Sequence, residues 1–261
     1  MRGFEQMDAN LRATLAVFAL ARRGGETREE YGLSLVSSRV DYAMFNSASL
    51  TAPVSTPAEL FARLKDAAAF YRDRRLPWSV WLCAGWLMPA ALDAAHRMCE
   101  AAGLSFVAQL PAMQAERLSG PTSPLPQLDI RRVEDAQTRE GFTLLMCRAF
   151  GVPHSAARSI YVSESTWRGP LSGYVGYSGG EIVTCAATVV HAGVAGVYAV
   201  GTVPERQRRG YAEAVMRHAL ADTEARFGAY PTILQSSAAG YRLYERMGFR
   251  TVTRYLVFAS T

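Results

Sequence analysis

Between residues 171 and 203 the chain alternates β-rich runs with Gly-Gly and Ala-Gly pairs, LSGYVGYS-GG-EIVTCAATVVH-AG-VAGVYAVGTV, a pattern that predicts three strands in a meander. From Gly210 the period becomes helical, with Ala214, Val215, His218, Ala219 and Phe227 spaced for one face. A strand TILQSS, a helix AAGYRLYERM, a capping Gly248 and a strand RTVTRYLVF follow. Ahead of the meander, LDIRRV reads as a strand, residues 135–150 as an amphipathic helix and residues 155–164 as a shorter one. The closing order is ββαβαβ.

The first half carries a similar ending. Residues 58–75 read as a helix, PWSVWLC as a strand, LDAAHRMCEAAG as a helix with a terminal glycine, and LSFVAQL as a strand. An ungapped match of residues 96–104 with 241–249 aligns Arg97, Glu100 and Gly103 with Arg242, Glu245 and Gly248. Together with the repeated element order this points to an internal duplication. Between the halves, LSGPTSPLPQLDI packs prolines, glycine and serine without periodicity and reads as a linker. The expected organisation is an N-terminal domain over 1–117, a linker over 118–126 and a C-terminal domain over 127–261. Each domain is expected to be an α/β (α+β) unit with its own mixed, mostly antiparallel sheet flanked by helices.

Composition narrows the class. A chain of 261 residues, 49% hydrophobic and 20% charged, is that of a globular protein with room for two cores. No window approaches the roughly 18 unbroken apolar residues of a membrane helix. LRATLAVFALA (Leu11–Ala21) has acids before it and Arg22 and Arg23 after it, the reverse of a secretory signal, so a cytoplasmic setting is expected. Cys83, Cys99, Cys147 and Cys185 are scattered, giving neither a disulfide framework nor a metal site. Of the net charge of +5, the share of residues 1–120 is 13 − 12 and that of residues 121–261 is 15 − 11. Local basicity of this kind suits a small anionic ligand; no basic stripe interleaved with aromatics marks a nucleic-acid binder.

The charge concentrates in TVPERQRRGYAEAV, residues 202–215. A turn feeding a helix N-terminus presents free N–H groups and the positive end of the helix dipole, a site for phosphate. Gly210 removes a Cβ there, Ala212 keeps the first turn small, and Gln207, Arg208 and Arg209 are candidates to hold further oxygens. There is no G-x-x-x-x-G-K-[ST], and only one glycine of a dinucleotide fingerprint. A solvated loop and a simple turn remain the alternative on this stretch alone.

Gln207-Arg208-Arg209-Gly210-Tyr211-Ala212, after the strand end Val200-Gly201-Thr202, resembles the acyl-CoA signature of the GNAT superfamily of N-acetyltransferases. Ser237-Ala238-Ala239-Gly240-Tyr241-Arg242-Leu243-Tyr244-Glu245-Arg246-Met247-Gly248-Phe249 resembles that family's closing helix with its tyrosine. The resemblance covers residues 127–261, and residues 1–117 only as a degenerate copy. It implies that backbone groups of Val200, Gly201 and Thr202 hold the thioester and pantetheine arm, and that Gln207 and the amides from Arg208 through Tyr211 to Ala212 wrap the pyrophosphate. It further implies that Ser237 touches the pantetheine or caps a helix, and that Tyr244 protonates the departing thiolate. A phenol is neutral at pH 7 with a pKa near that of a thiol, which suits the role.

The implied reaction is transfer of an acetyl group from acetyl-CoA to an amine on a small molecule or peptide. GVYAVGTV holds no acidic residue to serve as general base; Glu164, Glu205 and His191 are the nearest candidates, and a water relay is equally open. The first half reads TAPVST where the arginine loop would stand, and Cys99 where Tyr244 would, which makes it a scaffold or a wall of the acceptor site. Trp78, Trp81 and Trp86 would line a cleft between the halves or serve as core. An alternative reading is a non-catalytic acyl-CoA-binding regulatory module.

Overall fold

In the computed structural model, which describes residues 3–260, helix α1 (Gly3–Leu20) precedes a hairpin of β1 (Glu26–Glu30) and β2 (Leu33–Ser37). Residues 43–45 form a 3-10 turn that leads directly into β3 (Asn46–Leu50). Asn46 fixes that turn by donating from Nδ2 to the carbonyls of Val40 (2.8 Å), Tyr42 (3.2 Å) and Pro77 (2.9 Å). Helix α2 (Pro57–Arg72), β4 (Ser79–Cys83), α3 (Pro89–Ala101) and β5 (Leu104–Ala115) complete the first half.

Residues 116–128 have no regular structure. Then come β6 (Asp129–Arg132) and α4 (Ala136–Phe150), which starts in a capping box of Asp135 with Thr138 and ends on Gly151 at φ +66°. The next elements are α5 (His154–Tyr161), α6 (Glu164–Trp167) and the predicted meander of β7 (Leu171–Ser178), β8 (Glu181–His191) and β9 (Val194–Thr202). The chain closes with α7 (Tyr211–Phe227), β10 (Thr232–Gln235), α8 (Tyr241–Arg246) and β11 (Arg250–Ser260). None of the helices among the described residues is long and apolar enough to cross a membrane.

The two sheets expected for two domains are one. All strands form a single 11-stranded sheet in the order β1-β2-β3-β4-β11-β5-β10-β9-β8-β7-β6. The reason is a reciprocal exchange: β11 lies between β4 and β5 of the first half, and β5 lies between β10 and β11 of the second. With β6 left aside, substituting β1–β5 for β7–β11, and the reverse, gives the same order read from the other end. The parallel pairs β3–β4 and β9–β10 then correspond, each joined by a crossover helix, α2 or α7. Side-chain alternation along β9, β10 and β11 places α2, α3, α7 and α8 on one face and α1, α4 and α5 on the other.

Helix α1 buries two polar residues, Asp8 and Asn10. Asp8 accepts hydrogen bonds from Trp86 Nε1 (3.0 Å), Tyr255 Oη (3.3 Å) and Arg12 Nε (3.0 Å), pinning α1 to β11 and the segment after β4. Burial outweighs these partners and raises its pKa. The native state thus holds this proton more tightly than the unfolded chain, so stability falls as pH rises from 3.8 through the raised native value. Asp8→Asn should abolish that slope while keeping an acceptor for Trp86. Urea melts across acid and neutral pH provide the check, and an unchanged slope would refute it.

Candidate active site

Strands β9 and β10 pair in parallel only at Ala195–Thr232 and Gly196–Ile233, then part. Above that point β9 bulges: its register with β8 jumps from Ala187–Tyr198 to Cys185–Gly201, and Ala199 takes φ +50°. A non-glycine residue at positive φ costs about 1–2 kcal/mol and re-aims the local backbone groups. Beyond the bulge Val200 faces the α7 side. Gly201 gives close access to Phe150 of α4, whose ring would lie 2.5 Å from a Cβ there. The carbonyl of Gly201 accepts from Thr184 Oγ1 (2.7 Å), and Thr202 is buried beside it.

After β9 the chain turns through residues 203–210 into α7. Arg208 has φ +58°, and Gly210, at φ +80°, is the N-cap with no side-chain cap bond. Among the described residues, none of the six backbone N–H groups from Arg208 to Glu213 has an acceptor; the first to bond is Ala214, to Gly210 O (3.0 Å). Arg208 and Arg209 are exposed and make no ion pair among the described residues. The helix head therefore offers a row of donors, dipole and free guanidinium charge at one point. Gln207 differs from its expected role, because Nε2 donates to Thr202 O (3.3 Å) and holds the turn to the strand end. Arg206 is paired with Glu181. Tyr211 is nearly buried, its hydroxyl 3.1 Å from Ser178 Oγ, and Ala212 follows it in the first turn.

On the same face, Tyr244 of α8 packs with Val197 and Leu234 from the parting strands, and with Phe249 edge-on at 5.9 Å. Gly240 makes room for the ring, since a Cβ there would meet Tyr244 Cε2 at 2.8 Å. The Tyr244 hydroxyl has no hydrogen-bond partner among the described residues, and burial pushes its pKa up to about 12. Ser237 Oγ accepts from Gly240 N (3.2 Å), serving as a cap ahead of α8.

The candidate bases are not brought here. Glu164 is paired with Arg168 on α6. Glu205 is paired with Arg148 (2.8 Å), and hydrogen bonds from its own N–H and from Arg148 lower its pKa. His191 ends β8, at the opposite end of β9 from the opening.

The first half is closed where the second is open. After β3 and β4 the strands are bridged again, Val54 N to Trp86 O (2.8 Å) and Met88 N to Val54 O (2.9 Å). Helix α2 is capped by its own residues, Thr56 Oγ1 accepting from Glu59 N (3.1 Å) and Glu59 Oε2 from Ser55 N (2.8 Å). Arg63 fills the preceding turn through the carbonyls of Ala52 and Pro53 (2.9 Å each). Cys99 is fully buried, its pKa pushed up to about 12 by desolvation. Trp78 stacks on Tyr71 in the core, Trp81 faces Tyr255 from β4, and Trp86 binds Asp8.

The arrangement is thus a parted parallel strand pair beside an uncapped, cationic helix head in an α/β fold. Residues 170–251 match the family model described as Acetyltransferase (GNAT) domain. Solved structures share the fold over nearly the whole chain. A GCN5-related N-acetyltransferase from Kribbella flavida aligns with TM-score 0.70 at 17% identity, covering 97% of this chain and 95% of that one. A functionally unknown conserved protein from Staphylococcus epidermidis gives 0.63 at 11%, covering 90% and 94%. A GCN5-related N-acetyltransferase-like protein from Streptococcus suis gives 0.58 at 14%, covering 98% of each. No curated protein matches the chain.

Proposed function

We propose that the chain transfers an acetyl group from acetyl-CoA to an amine, with one working site in the second half. The observation that carries this is the row of six acceptor-free N–H groups heading α7, flanked by unpaired Arg208 and Arg209 and adjoining the strand opening. A pyrophosphate is an anion of the right span for such a row. The pantetheine arm would run along the backbone of Val200, Gly201 and Thr202. Amine nitrogen attacks the thioester carbonyl carbon, the C–N bond forms and the C–S bond breaks; the nitrogen's surplus proton passes to water, Tyr244 gives its proton to the leaving sulfur, and solvent reprotonates Tyr244. Positioning and backbone N–H groups at the bulge would supply most of the rate.

In this reading the two halves are copies of one ancestral unit, and the first has lost its site. The bridged strands, the self-capped α2 and the Arg63-filled turn support that view. Calorimetry with coenzyme A, together with coenzyme A release across an amine panel, tests the proposal. Binding with turnover of at least one amine is expected. Binding without turnover would make the chain an acyl-CoA-binding module, and absence of binding would refute both.

A further inference from the structure

The linker ties together the two helices of the candidate site. Ser119 starts the tie: its N–H donates to Met247 O (2.9 Å) just past α8, and its Oγ lies 2.8 Å from where a Cβ on Gly248 would stand. Leu118, one residue earlier, packs in the cluster that holds Tyr244 and Met247 together with Met216 of α7. Pro126 ends the tie, its Cδ 3.0 Å from the place of a Cβ on Gly210, the N-cap of α7. Residues 119–126 thus carry the chain from the helix of Tyr244 to the head of the N–H row.

Between its anchors the segment is uncommitted. No hydrogen bond or ion pair among the described residues engages residues 120–127. Residues 120–124 are exposed, and Leu125 and Pro126 are half-buried. Residues 118–127 carry no charge, so the segment does not repel phosphate. Pro121, Pro124 and Pro126 fix three φ angles and present apolar rings, and Leu125 adds an apolar side chain. A restricted, uncharged, apolar segment loses little entropy on binding and suits the flat face of a nucleobase.

We infer that the linker is the outer wall of the cofactor site, with residues 121–126 lying against the adenosine of coenzyme A and Pro126 as the positioning residue. The inference rests on the acetyltransferase reading. With pyrophosphate on the α7 head and the pantetheine arm running between the parted strands, the nucleoside end leaves the head toward solvent. That is the side on which the exposed linker lies, and Pro126 stands at the point of departure. The segment that joins the two halves is then also a part of the site.

Hydrogen exchange at the amides of Gly120, Thr122, Ser123 and Leu125 tests this wall. Saturating coenzyme A should slow them by about fivefold or more, while Ala229 and Tyr230, at the far end of α7, keep their rates. Phosphopantetheine keeps a phosphate for the α7 head and lacks the adenosine, so wild type should prefer coenzyme A to it. Pro126→Gly should shrink that preference by about tenfold, with thermal melts run alongside. Unchanged or faster exchange in wild type saturated with coenzyme A would overturn this inference. So would an intact preference in Pro126→Gly, whether both ligands weaken equally, as a purely structural contact requires, or neither does. These results leave the acetyltransferase reading standing, whereas wild type that binds no coenzyme A defeats that reading and this inference with it.

Discussion

Replacing Tyr244 by phenylalanine is expected to lower kcat by about a hundredfold or more while the Kd for coenzyme A stays within about twofold. The ring and its contacts with Leu234 and Phe249 survive the change, so the loss isolates the proton. The structure alters the acid–base argument in one respect. Sequence reasoning matched a phenol to a thiol, but burial lifts Tyr244 to about 12, above the ordinary thiol value of about 8.5. Proton transfer is balanced only if the sulfur leaving into the same dry cleft is raised as well. As a corollary, kcat should show no basic limb from this group until pH comes within about one unit of 12. Undiminished kcat in Tyr244→Phe would remove the general-acid assignment.

Gly210→Val should weaken coenzyme A binding by at least tenfold, by about the loss of one charge-assisted contact. Gly210 sits at φ +80°, and a Cβ would meet Pro126 Cδ at 3.0 Å, so a branched side chain re-aims the N–H row. Backbone strain alone costs about 1–2 kcal/mol. Gly228, at φ +90° at the other end of the same helix with nothing within 4 Å, is the control for that strain. Gly228→Val should destabilise similarly in thermal melts and leave the Kd untouched. Equal Kd values for Gly210→Val and wild type would dismiss the α7 head as the anion site.

Much of the candidate site was legible because its signals are local. The glycine and arginines of the α7 head, the tyrosine of α8 and the Asp135 cap of α4 each act within a few residues of where they stand. What was not legible depends on partners remote in sequence. Nothing in RTVTRYLVF or LSFVAQL says that each strand completes the other half's sheet, since both are generic β runs whose neighbours are chosen by packing. The hairpin strand ETREE carries no apolar alternation, being an exposed edge, and passed unnoticed. Asn10 and Asp8 carry no local sign of burial, and only their partners, up to 247 residues away, show them to be buried. Gln207 fits the anion-binding motif by type, yet its amide is taken up by the strand end.

The exchange of β5 and β11 also orders events during synthesis. The first half emerges early, yet its sheet lacks the strand between β4 and β5 until residues 250–260 have cleared the ribosome. Domains made this way ordinarily fold one after another as the chain lengthens. Here the N-terminal half must wait with two unfilled strand edges, a hazard for association with neighbouring nascent chains. Cutting the chain within residues 116–128 would make that interim condition permanent for both pieces.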